Sequence, residues 1–219
     1  MESDGYMDTL SFVRRSKIIA IVRGLSSEYA VALSHALFAG GIELMEVTFD
    51  QSHPETWVDT AAAITAVCRS MGEKMLVGAG TVITSEQLHI ATDAGAKYVI
   101  SPNTDLSIIR ETKSLGLASF PGAMTPSEIE FAHRAGADIV KVFPAGTLGV
   151  AYVSAIRSPL RHIEMIAVGG INPENATSFL KAGCCGIGVG GNLVNKSWIE
   201  AGEWDRITAL AAEYRRAVG

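Results

Sequence analysis

Apolar runs and amphipathic stretches alternate along most of this chain. Each short apolar run is followed by a polar residue suited to begin a helix, and then by an amphipathic stretch that ends near a glycine. Such apolar runs predict strands buried on both faces, and the amphipathic stretches predict helices. The eight predicted strands are residues 18–23, 44–49, 75–81, 98–102, 118–121, 139–143, 165–168 and 186–190.

The predicted helices carry signals at both ends. We expect their N-caps at Ser26, Thr84, Thr125 and Asn172, the last two followed by proline. We expect left-handed glycines after their last residues at Gly40, Gly95, Gly116, Gly136 and Gly183. A further short helix, residues 7–15, is predicted within an N-terminal lead-in of residues 1–16.

The alternation of strand and helix predicts the fold. A repeat of about 25 residues indicates right-handed βαβ units and a parallel sheet, and eight strands are the number that closes a (β/α)8 TIM barrel. A doubly wound open sheet is the alternative, but it normally has fewer strands and a clear switch point. Because no linker rich in proline, serine or charge interrupts the pattern, we predict a single domain over residues 1–219.

Composition narrows the class of protein. The 219 residues are 48% hydrophobic and 19% charged, with a formal net charge of -5, which argues against a nucleic-acid partner. No apolar run approaches the roughly 18 residues of a membrane span, and the acidic start lacks the apolar region of an export signal. Three cysteines without metal-like spacing predict a cytoplasmic protein, and the five histidines do not follow metal-ligand spacings.

Lys141 lies in the middle of the otherwise apolar strand predicted at 139–143. A buried ammonium group is costly to desolvate unless something holds it there. One interpretation is a structural ion pair. The other is a nucleophilic amine whose pKa burial lowers, so that part of it is neutral and can attack a carbonyl. The strand sequence alone leaves both interpretations open, because structural ion pairs also perturb the pKa values of lysines.

Other polar side chains lie at the C-terminal ends of predicted strands, where the active sites of such barrels collect. Arg23 ends the first strand, Glu46 belongs to the second, and Thr81 ends the third. If Glu46 and Lys141 both point into the barrel, a carboxylate and an amine lie together in an apolar pocket. A barrel core has no structural need for such a buried pair. This favours Schiff-base chemistry, in which Lys141 attacks a carbonyl and Glu46 transfers protons without a metal or organic cofactor.

Two glycine clusters follow the last two predicted strands. Gly169 and Gly170 come after the seventh strand, and Gly190 and Gly191 come at the end of the eighth. Loops at these positions often bind phosphate in such barrels, through uncovered backbone N–H groups and a helix N-terminus. The alternative is that these glycines only make tight turns between strand and helix.

Seven short motifs, in order, resemble those of the 2-keto-3-deoxy-6-phosphogluconate (KDPG) and 4-hydroxy-2-oxoglutarate (KHG) aldolase family. The resemblance runs from about residue 18 to the C-terminal helix. The motifs are AGG (39–41), LMEVT (44–48), GAGTV (78–82), ISP (100–102), PGAMTP (121–126), KVFP (141–144) and VGG (168–170).

The resemblance implies a metal-independent class I aldolase built as a homotrimeric barrel. Such enzymes cleave a 2-keto-3-deoxy sugar acid, phosphorylated or not, to pyruvate and an aldehyde, without a cofactor. It implies that Lys141 forms the Schiff base and that Glu46 is the general acid/base. The implied substrate contacts are Thr81 for pyruvate, Pro102 and Phe143 as pocket walls, and Gly169 with Gly170 for phosphate.

The chain departs from this family at two positions. Many members have an arginine four residues after the glutamate to hold the keto-acid carboxylate, whereas this chain has Asp50, which would repel it. Arg23, at the end of the first strand as in other members, is our candidate for that task; the competing interpretation is a salt bridge from Arg23 to Asp50. A serine that ligates phosphate in some members is replaced by Gly191, followed by Asn192, which weakens the case for a phosphorylated substrate.

Two other functions remain alternatives. Another sugar-phosphate barrel enzyme, such as an epimerase, would use two acids or a metal and would leave Lys141 unexplained. A catalytically silent sugar-acid-binding protein on the same fold is the second alternative, because fold alone does not establish function. The presence of both Lys141 and Glu46 argues against a protein without catalytic activity.

Overall fold

The computed structural model describes the backbone of residues 3–219 and the side chains from residue 9 onward. Its strands form one sheet in which all neighbouring strands are parallel. They are β1 (Ile18–Arg23), β2 (Leu44–Thr48), β3 (Leu76–Gly80), β4 (Tyr98–Ile100), β5 (Ala118–Phe120), β6 (Gly122–Ala123), β7 (Val140–Val142), β8 (Met165–Val168) and β9 (Gly186–Val189).

The sheet closes into a barrel through its fifth strand, which is divided in two. The strand order is β5-β4-β3-β2-β1-β9-β8-β7-β6, so the two ends of the sheet, β5 and β6, are separated in sequence only by Pro121. Proline has no N–H to donate to a ladder, which explains the interruption. The carbonyl of Pro121 still accepts from the Lys141 N–H at 2.9 Å. The predicted (β/α)8 barrel is therefore confirmed, with the segment β6 as an addition to the eight predicted strands.

Helices connect successive strands of the barrel. Two short 3-10 helices, Pro54–Thr56 and Gly72–Lys74, flank the third α-helix. The α-helices are α1 (Ser3–Ser16), α2 (Ser27–Ala39), α3 (Trp57–Met71), α4 (Ser85–Asp93), α5 (Leu106–Ser114), α6 (Pro126–Ala135), α7 (Ala145–Leu148), α8 (Val150–Arg157), α9 (Pro173–Lys181), α10 (Lys196–Glu200) and α11 (Trp204–Val218). The predicted lead-in helix thus begins earlier than residue 7; residues 1–2 lie outside the described part. The assignment of residues 1–219 to one domain stays a prediction.

The predicted helix signals are confirmed with one exception. All four predicted N-cap side chains accept a hydrogen bond from a backbone N–H in the first helical turn. Four of the five predicted glycines have a left-handed φ, but Gly40 has φ -84°, and Gly41 takes the left-handed conformation instead with φ 86°. Gly40 is required for another reason, because a Cβ there would lie 2.4 Å from the Cβ of Ala211 in α11.

The side chains of the strands alternate between two apolar cores. In β1, Ile19 and Ile21 belong to the core inside the barrel, whereas Ile18 and Ala20 belong to the core between strands and helices. The described side chains of α1 that join the inner core are Leu10, Phe12 and Val13. Because they pack with residues from the beginnings of the strands, α1 closes the N-terminal end of the barrel, and the C-terminal end is left for a site.

Within residues 3–219, no helix is both long and apolar enough to cross a membrane.

Candidate active site

A cavity of about 300 Å³ lies at the C-terminal ends of the strands. Nine of the ten residues predicted for the site line it; Glu46 does not. These nine are Arg23, Thr81, Pro102, Lys141, Phe143, Gly169, Gly170, Gly190 and Gly191. The structure therefore brings together residues from six separate strand ends of the sequence, although their individual roles stay predictions.

Lys141 points into the barrel at the base of this cavity. Its neighbours Val140 and Val142 belong to the outer core, so the alternation of β7 turns Lys141 inward. Only 6% of the residue is exposed. Its Nζ lies 5.1 Å from the centroid of the Phe143 ring. Burial lowers the pKa of Lys141 below its ordinary value, which increases the neutral, nucleophilic fraction.

Glu46 lies beneath the cavity wall rather than in it. The residue is 1% exposed, and its Oε2 has no hydrogen-bond partner within the described protein. The carboxyl occupies space that a side chain at position 80 would fill, because a Cβ on Gly80 would lie 1.8 Å from Glu46 Oε1. Burial raises the pKa of Glu46, and the charge of Lys141 partly opposes this shift. A raised pKa increases the fraction of the carboxyl that holds a proton, and so increases its capacity to act as a proton donor as well as an acceptor.

Glu46 and Lys141 influence each other electrostatically without forming a direct ion pair among the described side chains. A structural ion pair would place the ammonium and carboxylate in contact, since only close geometry offsets the desolvation of two buried charges. Instead, Glu46 Oε2 has no hydrogen-bond partner among the described residues, and the pKa of Lys141 is lowered. This arrangement favours the nucleophilic interpretation of Lys141.

Arg23 faces the same cavity from β1. It follows Ile19 and Ile21 on the inward face, and a Cβ on Gly190 would lie 3.1 Å from its Nη1. Glycine at position 190 therefore gives the guanidinium room. The positive charge of Arg23 acts on both reactive groups: it lowers the pKa of Lys141 and opposes the rise in the pKa of Glu46.

Asp50, which stands where many members of the resembled family have a carboxylate-binding arginine, lies outside the cavity around Lys141. It lines a neighbouring cavity with Gly24 and Thr48, and its carboxylate accepts from the Ser52 N–H at 2.8 Å. It forms no salt bridge with Arg23 among the described side chains. Asp50 is therefore not among the residues that line the cavity around Lys141, and its repulsion of a substrate carboxylate stays a prediction.

The cavity also has wall residues that the sequence reasoning did not assign to the site. They are Ile21, Val168, Ile171, Gly188, Val189 and Asn192. The alternation of β1 and β8 could have identified Ile21 and Val168, which share the inward face of their strands. Asn192 had no such signal: its Nδ2 donates to the Ile171 carbonyl at 2.9 Å and so ties the loop after β9 to the loop after β8.

Comparison with known proteins identifies the family. The model of the family described as "KDPG and KHG aldolase" matches residues 10–210. The chain belongs to the KDPG and KHG aldolase family. This confirms the resemblance carried by the seven motifs and the predicted enzyme class, a carbon–carbon lyase of the aldehyde-lyase type.

Relatives of this aldolase align along almost the whole chain. The 2-dehydro-3-deoxy-6-phosphogalactonate aldolase of Escherichia coli K12 is 32% identical over 202 residues, covering 92% of this chain and 96% of its own. The 2-dehydro-3-deoxy-phosphogluconate aldolase of Treponema pallidum is 35% identical over 211 residues, covering 94% and 96%. A crystal structure of the Legionella pneumophila KDPG aldolase, with pyruvate captured as a covalent carbinolamine, has a TM-score of 0.83 at 27% identity, covering 97% of this chain and 98% of that one.

The described part of this aldolase offers no group of three or more His, Cys, Asp or Glu side chains arranged to hold a metal ion.

Proposed function

We propose that this class I aldolase cleaves a 2-keto-3-deoxy sugar acid at the cavity around Lys141, with Lys141 as the nucleophile and Glu46 as the general acid/base. The observation that carries this proposal is the pairing of two buried groups: an amine whose pKa is lowered, and a carboxyl whose pKa is raised and whose Oε2 has no hydrogen-bond partner among the described residues. The carbinolamine captured in the Legionella pneumophila relative supports a covalent pyruvate adduct.

The proposed reaction begins with neutral Lys141. Its Nζ attacks the C2 carbonyl carbon of the keto acid to give a carbinolamine, which loses water to become an iminium ion. Removal of the proton on the C4 hydroxyl allows the C3–C4 bond to break, and its electron pair moves toward the iminium nitrogen. The aldehyde leaves, and an enamine of pyruvate remains on Lys141. Protonation at C3 and hydrolysis then release pyruvate, with Glu46 supplying and accepting the protons.

Arg23 is our candidate for binding the keto-acid carboxylate. Its planar guanidinium can donate to both carboxylate oxygens at once. The absence of a salt bridge to Arg23 among the described side chains is consistent with a guanidinium available for substrate. Thr81 is proposed as a second pyruvate contact, and Pro102 and Phe143 as walls around the reacting carbons.

The distal end of the substrate is proposed to lie at the glycines after β8 and β9. Gly169, Gly170, Gly190 and Gly191 leave backbone groups uncovered, and α9 begins directly after the first of these loops. The N-terminus of a helix favours an anion such as phosphate. A phosphorylated keto acid would therefore be held by backbone donors, without the serine that some relatives have.

Pyruvate release tests the proposed function. Purified protein is given 2-keto-3-deoxy-6-phosphogluconate, its galactonate epimer and 4-hydroxy-2-oxoglutarate, and pyruvate is followed with lactate dehydrogenase and NADH. We expect release from at least one of them, and none from a folded Lys141→Met variant. A wild-type protein that binds these acids but releases no pyruvate would support the silent-binder alternative.

We also propose a homotrimer in the cytoplasm. The trimer rests on the family resemblance and on exposed apolar side chains at neighbouring helices, including Phe131 on α6, which is 55% exposed, and Leu106 on α5. The cytoplasm is supported by Cys68, Cys184 and Cys185, all of which are free. Light scattering coupled to size-exclusion chromatography tests the trimer, and a monomer at micromolar concentration would refute it.

A further inference from the structure

The backbone at Thr81 is strained where it enters the cavity wall. Thr81 has φ 58°, in the left-handed region that β-branched residues rarely adopt. Such a conformation persists only where the surrounding structure fixes it, and it is common in residues that contact ligands. Something must therefore hold the turn that follows β3.

Side chains from three separate elements hold three successive residues of this turn. Gln51 Nε2 donates to the Thr81 carbonyl at 2.6 Å, and Ser101 Oγ donates to the Val82 carbonyl at 2.6 Å. The Ile83 N–H donates to Gln87 Oε1 at 2.9 Å. Each peptide unit of the turn thus has a fixed partner.

Gln51 and Gln87 also bind each other. Gln87 Nε2 donates to Gln51 Oε1 at 2.9 Å, and Gln87 is fully buried. Gln87 is the third residue of α4, where a glutamine commonly bonds back to the N-cap N–H. Here its Oε1 accepts from the N–H of Ile83, one residue before the Thr84 N-cap. The Gln87 amide therefore binds the turn after β3 instead of capping α4. The two amides form one connected network between the loop after β2 and the turn after β3.

We propose that Gln51 and Gln87 are positioning residues for pyruvate binding, because their linked amides hold Thr81 in the left-handed conformation that presents it to the cavity. This inference rests on the proposed contact between Thr81 and pyruvate. It predicts an effect on pyruvate binding and little effect on the chemistry, since neither amide touches Lys141 or Glu46 in the described contacts.

A purely structural role would give a different result. If the network only stabilises the loop, its loss lowers the melting temperature and leaves pyruvate binding unchanged. The readout must therefore separate binding from folding. Borohydride trapping does this, because the pyruvate concentration at half-maximal trapping reports binding and the maximal trapping rate reports Schiff-base formation.

Three variants and one control form the experiment. Gln51→Met, on an exposed residue, keeps the side-chain length and removes the donor to Thr81. Gln87→Leu removes both bonds of the buried amide, and Gln51→Met/Gln87→Leu removes the network. The control, Thr112→Val, removes an equally buried bond in α5, in which Thr112 Oγ1 donates to the Ile108 carbonyl at 2.7 Å.

We expect each single variant to raise the half-saturating pyruvate concentration about tenfold, with the maximal trapping rate changed less than about threefold. The double variant should also raise the half-saturating pyruvate concentration about tenfold rather than a hundredfold, because both substitutions break the same network. The Thr112→Val control should lower the melting temperature only.

Failure of the proposed function and failure of the positioning role give different results. A wild-type protein that traps no pyruvate would refute the proposed function itself. If the wild type is active and Thr81→Ala weakens pyruvate binding, normal pyruvate binding in folded Gln51→Met and Gln87→Leu would overturn the positioning role. Normal binding in Thr81→Ala would overturn it too, by removing the contact that the amides are proposed to position.

Discussion

Substitution of Gly80 by alanine provides a test of Glu46 that leaves both reactive residues in place. Gly80 ends β3, beside the carboxyl of Glu46 on β2. An added Cβ would lie 1.8 Å from Glu46 Oε1 and 2.5 Å from Cδ, whereas ordinary van der Waals contact begins at 3.4 Å. The carboxyl must therefore move by about 1 Å or more, because the contacted atoms belong to a side chain and the strand backbone is fixed in the barrel.

The expected magnitude follows from that displacement. A shift of about 1 Å in a catalytic group can cost about a hundredfold in rate, and full removal of a general acid/base costs about 10² to 10⁴. We expect kcat for pyruvate release to fall about a hundredfold in Gly80→Ala. Schiff-base formation on Lys141 should fall much less, because the methyl group meets Glu46 and not the lysine.

The assay combines three measurements on one protein preparation. Coupled pyruvate release gives kcat, borohydride trapping with pyruvate shows that Lys141 still reacts, and thermal unfolding shows that the barrel is folded. The Gly80→Ala/Glu46→Gln double variant should be no slower than the slower of the two single variants, since both changes remove one function. A folded Gly80→Ala protein with near wild-type kcat would contradict the proposed role of Glu46, and so would losses in kcat that multiply in the double variant.

Three further predictions concern the reactive groups. Glu46→Gln should still trap some pyruvate but lose about 10² to 10⁴ in turnover, and a near wild-type rate would leave Glu46 as a counter-ion only. Arg23→Ala should raise the KM for pyruvate in the condensation direction at least about tenfold, equivalent to about 1.4 kcal/mol, and should change the KM for the aldehyde less. An unchanged KM for pyruvate would mean that backbone donors and Thr81, rather than Arg23, bind the carboxylate. Because burial lowers the pKa of Lys141, the trapping rate should rise with pH as the amine loses its proton, with a midpoint below 10.5, the ordinary lysine value. A midpoint at or above 10.5 contradicts a buried nucleophile.

Much of the fold could be predicted because local signals agreed with the tertiary structure. The apolar runs, the N-caps and the glycine stops each reported the same alternation, and the count of eight predicted the barrel. The division of the fifth strand was not predicted. Pro121 carried a signal against regular pairing there, but the pairing of β5 with β4 and of β6 with β7 depends on how the sheet closes.

The site was predictable to the extent that it follows from strand alternation. Lys141 and Arg23 lie on inward faces of their strands, as period-two patterning indicates. The depth of Glu46 was not predictable, since it depends on the missing side chain of Gly80 on the adjacent strand. The place of Asp50 in a neighbouring cavity was not predicted either, because the loop after β2 has no periodic pattern. The bonds of Gln87 to the turn after β3 join residues that only the folded loops bring together.

Covalent trapping of pyruvate shows directly whether Lys141 is the nucleophile. The protein is incubated with pyruvate and sodium borohydride, digested, and analysed by mass spectrometry for the reduced adduct. We expect one modified lysine, Lys141, and no adduct when pyruvate is omitted or when Lys141→Met replaces the wild type. Labelling of the lysines at positions 17, 74 or 97 with Lys141 unmodified would contradict this expectation.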